Sequence, residues 1–261
     1  MQVVILAGGL GTRLGELTNL IPKPMIEVGE MPILWHIMKI YSHYGFDDFV
    51  ICLGYKGQII RDFFLHYKDY YSKVLHCSLH PSSSSTCDIH STFQDPVEKW
   101  NITLVDTGKD TGTAGRLKQI EPYVSDEFMM TYGDGVGNVD IPKLIQTHKD
   151  NNTIATITCV QPLGRFGALT LKDNKISSFQ EKVIGDGKWV NGGFAVLKKE
   201  VFSYIKDDKE MLEQEPLQKL SEEGQLGAYQ HYGFWHPMDN MHDRIYLEDL
   251  WNKKEALWKV W

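Results

Sequence analysis

The stretch VVILAGGLGTRLGELTNLIPKPM, from Val3 to Met25, decides how the chain begins to fold. Four apolar residues run into a glycine-rich segment that carries Arg13. Glycine lacks a Cβ atom, so its backbone can adopt positive φ angles and approach a flat base or a phosphate. Successive N–H groups in such a turn form an anion-binding concavity. The stretch therefore predicts a strand followed by a phosphate-binding turn, with Arg13 and Lys23 as cationic partners.

Two common phosphate-binding motifs do not fit this spacing. A Walker A motif needs a lysine directly after its last glycine, and none follows Gly11 or Gly15. A dinucleotide fingerprint needs Gly-x-Gly-x-x-Gly, whereas Gly15 comes one position late after Gly9 and Gly11. A tight strand-to-helix turn with a surface arginine stays open as an alternative, because glycine-rich turns alone are weak evidence of function.

Outward from this stretch, short apolar runs alternate with helical patterns, which is typical of parallel βαβ units. The predicted strands are Val3–Leu6, Asp48–Leu53, Thr103–Asp106, Phe128–Tyr132 and Ile154–Val160, and the predicted helices are Pro32–Tyr44, Gly57–Tyr67, Thr113–Tyr123 and Asp140–Lys149.

The pattern changes after Val160. We predict a hairpin at Ala168–Phe179 about Asp173-Asn174, a strand at Trp189–Leu197 entering a helix at Glu200–Ile205, a last strand in LGAYQHYGFW (226–235), and an amphipathic helix at Asp243–Trp258. The fold class is therefore α/β, with a Rossmann-like, mixed but mainly parallel sheet flanked by helices. Residues 1–240 form the domain, and residues 241–261 form a helical appendage of that domain.

Composition limits the classes of partner. The chain has 261 residues, of which 42% are hydrophobic, and a net charge of -7, so its acidic surface disfavours nucleic acid and anionic membranes. The apolar stretch Gln2–Leu6 is too short for a signal peptide, and apolar runs stay well below the ~20 residues that span a bilayer. We expect a cytoplasmic protein that binds neither nucleic acid nor membrane.

The cysteines suggest reduced thiols, because four irregularly spaced residues do not form a disulfide framework. Cys77, His80, Cys87 and His90 are zinc-type ligands in pairs. Structural zinc sites usually separate their ligand pairs by more than the six residues found here, and four serines fill the gap. The pattern therefore favours a polar surface loop over a zinc site.

A set of motifs extends along nearly the whole chain. In order they are LAGGLGTRL (6–14), PKPM (22–25), WNITLVDTG (100–108), YGDGV (132–136), GRFGAL (164–169), FQEK (179–182), NGGF (191–194), EQEPL (213–217) and GFWHPMD (233–239). The set resembles the sugar-1-phosphate nucleotidyltransferases, in particular their glucose-1-phosphate cytidylyltransferase branch, for which LVDTG, EQEPL and GFW-x-PMD are characteristic. The resemblance implies Mg²⁺-dependent transfer of a cytidylyl group from CTP to α-D-glucose 1-phosphate. The products would be pyrophosphate and CDP-glucose for deoxysugar and O-antigen biosynthesis.

The resemblance also implies roles for matching residues. Asp134 and Asp239 would hold Mg²⁺, and Arg13 and Lys23 would neutralise the triphosphate and the leaving pyrophosphate. On residues alone, Asp134 is equally a turn residue, Asp239 a helix N-cap and Arg116 a solvent-facing helix residue. The implied nucleotide site comprises Leu6, Ala7, Gly8, Gly9, Leu10, Gly11, Thr12, Arg13, Lys23, Thr111, Arg116 and Gly133, and the implied sugar-phosphate site comprises Glu181, Lys182, Asn191 and Gly193.

Four residues depart from the family pattern: Ile21, Ala114, Asn240 and His242. We expect Ile21, which replaces a lysine, to face the triphosphate, with a core-facing position as the alternative. The same chemistry with another nucleotide or sugar phosphate is also open, as is a catalytically silent nucleotide-sugar sensor.

The quaternary structure has two open readings. The family is homo-oligomeric and often hexameric, and exposed Trp251, Trp258 and Trp261 in the last helix would suit an interface. Alternatively, these tryptophans cap the core of a monomer.

Overall fold

The structure is a computed structural model that describes residues 1–70, 72–78, 88–93, 98–162, 168–172, 175–180 and 188–261. Its strands are β1 (Val3–Leu6), β2 (Glu27–Val28), β3 (Met31–Pro32), β4 (Asp48–Leu53), β5 (Ser72–Ser78), β6 (Asp88–Phe93), β7 (Asn101–Asp106), β8 (Glu127–Tyr132), β9 (Gly135–Gly137), β10 (Ala155–Val160), β11 (Ala168–Lys172), β12 (Lys175–Gln180), β13 (Val190–Lys198), β14 (Leu226–His231) and β15 (Trp235–Pro237). Its α-helices are α1 (Ile33–His43), α2 (Gly57–Leu65), α3 (Tyr67–Tyr70), α4 (Thr113–Gln119), α5 (Ile141–Asn151), α6 (Glu215–Glu222) and α7 (Met241–Asn252).

A seven-stranded sheet in the order β14-β10-β13-β8-β1-β4-β7 forms the centre of the molecule. The pairs β1–β4, β1–β8, β4–β7 and β10–β14 are parallel, whereas β13 runs antiparallel to both of its neighbours. The sheet is therefore mixed and mainly parallel, as the sequence predicts. Because β1 and β8 are adjacent and parallel, the loops after Leu6 and Tyr132 leave the same edge of the sheet.

Two hydrophobic cores cover the two faces of this sheet. Along β1, Val3 and Ile5 belong to one core, and Val4 and Leu6 belong to the other. The first and larger core receives apolar side chains from α1, α2, α5 and α7, and the second receives them from α4 and α6. Burial on both faces explains why this strand reads as a continuous apolar run.

The strand predictions at Val3–Leu6 and Asp48–Leu53 are confirmed to the residue. The predicted hairpin is confirmed as the antiparallel pair β11–β12, although Asp173 and Asn174 themselves lie outside the described residues. The predicted helix at Thr113–Tyr123 is too long, because α4 ends at Gln119 and a 3-10 turn at Glu121–Tyr123 follows. Pro122 explains this break, since proline disfavours a helical residue before it.

The predicted helices near the C-terminus also need correction. The segment predicted as a helix at Glu200–Ile205 is a 3-10 helix at Lys199–Tyr204. The last helix, α7, ends at Asn252 rather than extending to Trp258. Lys254 adopts a left-handed backbone with φ +61°, which ends a right-handed helix.

The tail after α7 folds back on α1. Trp258 is fully buried, stacks on Phe234 with ring centroids 5.6 Å apart, and donates its indole N–H to His36 Nδ1 at 3.4 Å. Trp251 and Trp261 are half-buried and also contact the His36 ring. The expectation of an exposed Trp258 is therefore wrong, and the tryptophans cap the core of their own chain.

His36 is buried beneath this tail. Its Nε2 lies 2.8 Å from the carbonyl oxygen of Val28, so this nitrogen carries the proton and Nδ1 accepts from Trp258. Burial lowers the pKa of His36 from 6.5 to about 4, partly opposed by hydrogen bonds to the carbonyls of Val28 and Met31. The ring is therefore neutral at physiological pH.

Two remaining expectations concern membranes and metal. None of the helices in the described ranges is long and apolar enough to cross a membrane. Cys52 and Cys159 are free thiols. Of the zinc-type residues, Cys77 and His90 lie on the paired strands β5 and β6, whereas His80 and Cys87 lie outside the described residues. The zinc alternative therefore stays untested.

Candidate active site

The glycine-rich loop after β1 forms one wall of the site. Gly11 has φ +63°, in the region that favours glycine, and a Cβ atom there would lie 3.0 Å from the Thr18 side chain. A Cβ atom at Gly8 would collide with the guanidinium of Arg116. The glycines therefore serve a tight turn and a close approach between this loop and α4.

Arg116 holds this loop in place from the buried side. Its Nη2 donates to the carbonyl oxygens of Gly8 at 3.0 Å and Lys109 at 3.2 Å. Its Nη1 donates to the carbonyls of Leu53 at 3.0 Å and Gly108 at 2.6 Å, and to Thr107 Oγ1 at 2.8 Å. The guanidinium thus joins the loop after β1, the last residue of β4 and the loop after β7, and burial lowers its pKa.

Lys23 connects two carboxylates that are far apart in the sequence. Its Nζ lies 2.7 Å from Asp134 Oδ2 and 2.8 Å from Asp239 Oδ1. The lysine side chain is 11% exposed, whereas the Asp134 and Asp239 side chains are 33% and 27% exposed. The carboxylates are therefore accessible to a ligand, and the lysine contacts them from the protein interior.

The charge on Lys23 is secured by these partners. Burial acts to lower its pKa, but the charges and hydrogen bonds of Asp134 and Asp239 outweigh this and raise the pKa above its usual 10.5. Lys23 is therefore protonated at physiological pH. It can neutralise an anion, but it cannot serve as a base.

The start of α7 fixes the backbone of Asp239. Asn240 is the N-cap of α7, and its side chain accepts from the Asp243 N–H at 3.1 Å. Asp243 Oδ2 in turn accepts from the N–H groups of Asp239 at 2.9 Å and Asn240 at 3.0 Å. This capping box leaves the Asp239 carboxylate directed to Lys23 rather than to the helix terminus.

Two cavities meet at the carboxylates. The larger, of about 420 Å³, contains the glycine loop, Lys23, Arg116 and the N-terminal turn of α4 in its lining. The smaller, of about 210 Å³, is lined by the Asn191–Gly193 segment and Trp235 among others. Tyr132, Asp134 and Asp239 line both cavities. Two ligands could therefore meet at the Asp134–Asp239 pair.

Comparison with known proteins identifies the family of this chain. The family described as Nucleotidyl transferase matches residues 2–236. The chain belongs to the nucleotidyl transferase family. It is 49% identical to the glucose-1-phosphate cytidylyltransferase of Salmonella typhimurium over the full length of both chains. It is 27% identical to the UTP–glucose-1-phosphate uridylyltransferase of a Synechocystis strain, over 80% of this chain and 52% of that relative.

The fold of this nucleotidyl transferase also matches experimental structures. HddC from Yersinia pseudotuberculosis, complexed with GMP-PN, superimposes with a TM-score of 0.68 at 24% sequence identity. The match covers 96% of this chain and 99% of that one, and it supports the predicted fold class.

Most of the residues implied for the nucleotide come together in the larger cavity. Those in its lining are Leu6, Ala7, Gly8, Gly9, Gly11, Lys23, Thr111, Arg116 and Gly133, together with Asp134 and Asp239. Leu10 is 44% exposed and lies outside this lining. Thr12 and Arg13 begin the 3-10 helix Thr12–Asn19, but their side chains are not described. Contact of Arg13 with phosphate therefore stays a prediction.

The sugar-phosphate predictions divide in the same way. Asn191 and Gly193 line the smaller cavity. Glu181 and Lys182 lie outside the described residues. Their roles stay predictions.

Several lining residues were not predicted. Thr113 and Met211 border the larger cavity, Trp235 borders the smaller, and Tyr132 borders both. Tyr132 and Trp235 stand inside the motifs YGDGV and GFWHPMD, so the motifs carried a signal for them. Met211 had no signal in the sequence, because its segment reaches the site only through tertiary contacts with α4.

The four departures from the family pattern have separate locations. Ile21 is partly buried against the larger core and lies outside both cavity linings, so the expectation that it faces the triphosphate is wrong. Ala114 is fully buried in the second core. Asn240 is the N-cap of α7, and His242 is exposed.

The donors present fit a divalent cation that is shared with a ligand. In the described part of the chain, no group of three or more His, Cys, Asp or Glu side chains could hold a metal by itself. The Asp134 and Asp239 oxygens nevertheless converge on one cationic atom, the Lys23 ammonium. Mg²⁺ prefers oxygen ligands, and in phosphate-transfer sites it takes one or two carboxylates and completes its shell with phosphates and water.

Proposed function

We propose that this protein transfers a cytidylyl group from CTP to α-D-glucose 1-phosphate, giving CDP-glucose and pyrophosphate. The observation that carries the proposal is the pair of cavities that share Asp134 and Asp239. Transfer between two bound phosphates requires that they meet at one point, next to cationic or metal-binding groups. Lys23, bonded to both carboxylates, supplies such a group at that point.

The two cavities suit the two substrates by size and lining. The larger one, with its glycine loop and Arg116-braced wall, takes the nucleotide. The smaller one, with Asn191, the glycines beside it and Trp235, takes the sugar. Polar side chains and an aromatic ring are the groups that bind the hydroxyls and the apolar face of a hexose.

The chemistry that the residues must support is an in-line displacement. An oxygen of the sugar phosphate attacks the α-phosphorus of CTP, and pyrophosphate leaves from the opposite side. The attacking phosphate is already an anion, so the reaction needs charge neutralisation and positioning rather than a general base. Lys23 fits this need because Asp134 and Asp239 raise its pKa, so the side chain is cationic at physiological pH.

We propose that Asp134 and Asp239 hold Mg²⁺ in the working enzyme. The metal would polarise phosphate oxygens and offset the negative charge that develops on the leaving group. The carboxylates retain some solvent exposure, and Asp239 is positioned by the cap of α7. Both features leave the pair accessible and ordered for a cation.

The choice of cytosine and glucose rests on similarity. The relative that is named for CTP chemistry is 49% identical over the full length, whereas the one that is named for UTP chemistry is 27% identical. We further propose that the enzyme is a cytoplasmic homo-oligomer whose product supplies deoxysugars for lipopolysaccharide. Light scattering of the purified protein tests the oligomer.

A substrate matrix tests the reaction. The protein is incubated with Mg²⁺, each of ATP, GTP, CTP, UTP and dTTP, and a panel of sugar 1-phosphates, and pyrophosphate release is measured. We expect the highest rate with CTP and α-D-glucose 1-phosphate, with CDP-glucose identified by mass spectrometry. A higher rate with another pair would replace the substrates, and nucleotide binding without turnover for any pair would favour a sensor.

A further inference from the structure

The motif EQEPL begins with Glu213, a residue that the proposed reaction does not use. Glu213 lies two residues before the first residue of α6 and contacts Thr113, the first residue of α4. Its Oε2 accepts a hydrogen bond from Thr113 Oγ1 at 2.7 Å, and its Oε1 accepts one from the Tyr132 hydroxyl. One carboxylate thus connects a residue of α4 with a residue at the end of β8.

Both hydrogen-bond partners of Glu213 line the candidate site. Thr113 lines the larger cavity, and Tyr132 lines the larger and the smaller cavity. Tyr132 is therefore part of the partition between the two proposed substrates. Its ring also packs closely on Gly193, where a Cβ atom would lie 2.8 Å from Tyr132 Cδ2 and φ is +79°. The ring fits there because β13 has a glycine at position 193.

The bridge to Glu213 sets the direction of the Tyr132 phenol. A carboxylate can only accept hydrogen bonds, so the Tyr132 hydroxyl donates its proton to Glu213 Oε1. The Thr113 hydroxyl is fixed as well, because it accepts from the Leu212 N–H at 2.8 Å while it donates to Glu213. Each hydroxyl proton is therefore committed to the carboxylate.

We propose that Glu213 is a positioning residue that fixes the side chains of Tyr132 and Thr113 relative to each other. The two cavities then hold the nucleotide and the sugar phosphate at the distance from each other that transfer at the Asp134–Asp239 pair requires. This inference rests on the proposed function, because it assumes that the two cavities take two substrates. It adds a residue outside both linings to the determinants of substrate alignment.

The test compares Glu213→Ala with Glu213→Gln. Alanine removes both hydrogen bonds, whereas the glutamine amide can still bridge two hydroxyls, each of which can donate or accept. Because Glu213 is exposed and its bonds compete with water, we expect Glu213→Ala to raise KM for both substrates by about 3- to 10-fold, and Glu213→Gln to restore most of the loss. Tyr132→Phe should raise both KM values as well.

A second tyrosine–glutamate pair provides the matched control. The Tyr204 hydroxyl donates to Glu223 Oε2 at 2.5 Å, outside both cavity linings. Tyr204→Phe and Glu223→Ala should leave both KM values unchanged. Unchanged KM values in Glu213→Ala, or a rise for one substrate alone, would overturn the proposal.

A measurement on the free protein separates this proposal from the proposed function. If the wild-type protein has no transferase activity, the proposed function fails, and the bridge is judged by a double-mutant cycle of Glu213→Ala and Tyr132→Phe in urea unfolding. Non-additive effects on the free energy of unfolding would support an energetic coupling between Glu213 and Tyr132. Additive effects would overturn it.

Discussion

Acid should destabilise the protein through His36. In the folded state its pKa is about 4, compared with 6.5 for an ordinary histidine. Between these values the unfolded chain binds a proton that the folded chain does not, so stability is full above about pH 6.5 and falls as the pH drops towards 4. With 1.36 kcal/mol per pKa unit, the loss from this group is about 2 kcal/mol by pH 5 and about 3 kcal/mol by pH 4.

The variant His36→Gln isolates this effect from the titration of carboxylates. Glutamine can still donate to the Val28 carbonyl, but it does not titrate. Urea unfolding of both proteins at pH 7 and pH 5 gives the change in the free energy of unfolding. We expect the wild type to lose about 2 kcal/mol more than His36→Gln over this interval. Equal losses would refute the assignment of a buried, neutral imidazole.

Three further substitutions test the site and its supports. Asp239→Asn should lower turnover by orders of magnitude with an unchanged melting temperature, and near-normal turnover would remove Asp239 from the site. Arg116→Lys should weaken CTP binding by about 10-fold or more in calorimetry, because a lysine ammonium cannot reproduce the planar, five-donor guanidinium. Arg61→Lys on α2 is the control. Equal CTP affinities of Arg116→Lys and the wild type would contradict the proposed role of Arg116 in holding the loops. Ile21→Lys should lower the melting temperature and leave the CTP affinity unchanged. The control Leu20→Lys, at a neighbouring position that is 71% exposed, should change neither the melting temperature nor the affinity. Tighter CTP binding by Ile21→Lys would return this position to the triphosphate.

Local patterns were sufficient for the elements of the sheet. The apolar runs at Val3–Leu6 and Asp48–Leu53 predict two central strands because each run is buried on both faces. The C-terminal helix was overextended because apolar residues continue past Asn252, while the backbone of Lys254 that ends the helix has no sequence signal. The tail is apolar because it enters the core, as Trp258 does, and not because it continues a helix.

The candidate site could not be predicted from local sequence patterns, because its residues come from distant parts of the chain. Lys23 lies 111 residues from Asp134 and 216 from Asp239, so no local periodicity could place them together. The order of motifs implied this cluster through resemblance alone. The helical pattern around Arg116 likewise did not predict the five oxygen atoms that its guanidinium contacts, because these belong to two loops and a strand end that only the folded sheet brings together.

The shared position of Lys23 has a consequence for how the protein tolerates metal depletion. Two carboxylates that face each other without a cation repel, and proteins that rely on a metal for this neutralisation often unfold in chelators. Here the ammonium already neutralises part of the charge of the pair from within the chain. We therefore expect the apoprotein to fold in EDTA, with a melting temperature that does not depend on the chelator. A metal bound at this site would then contribute to the reaction and not to the stability of the fold.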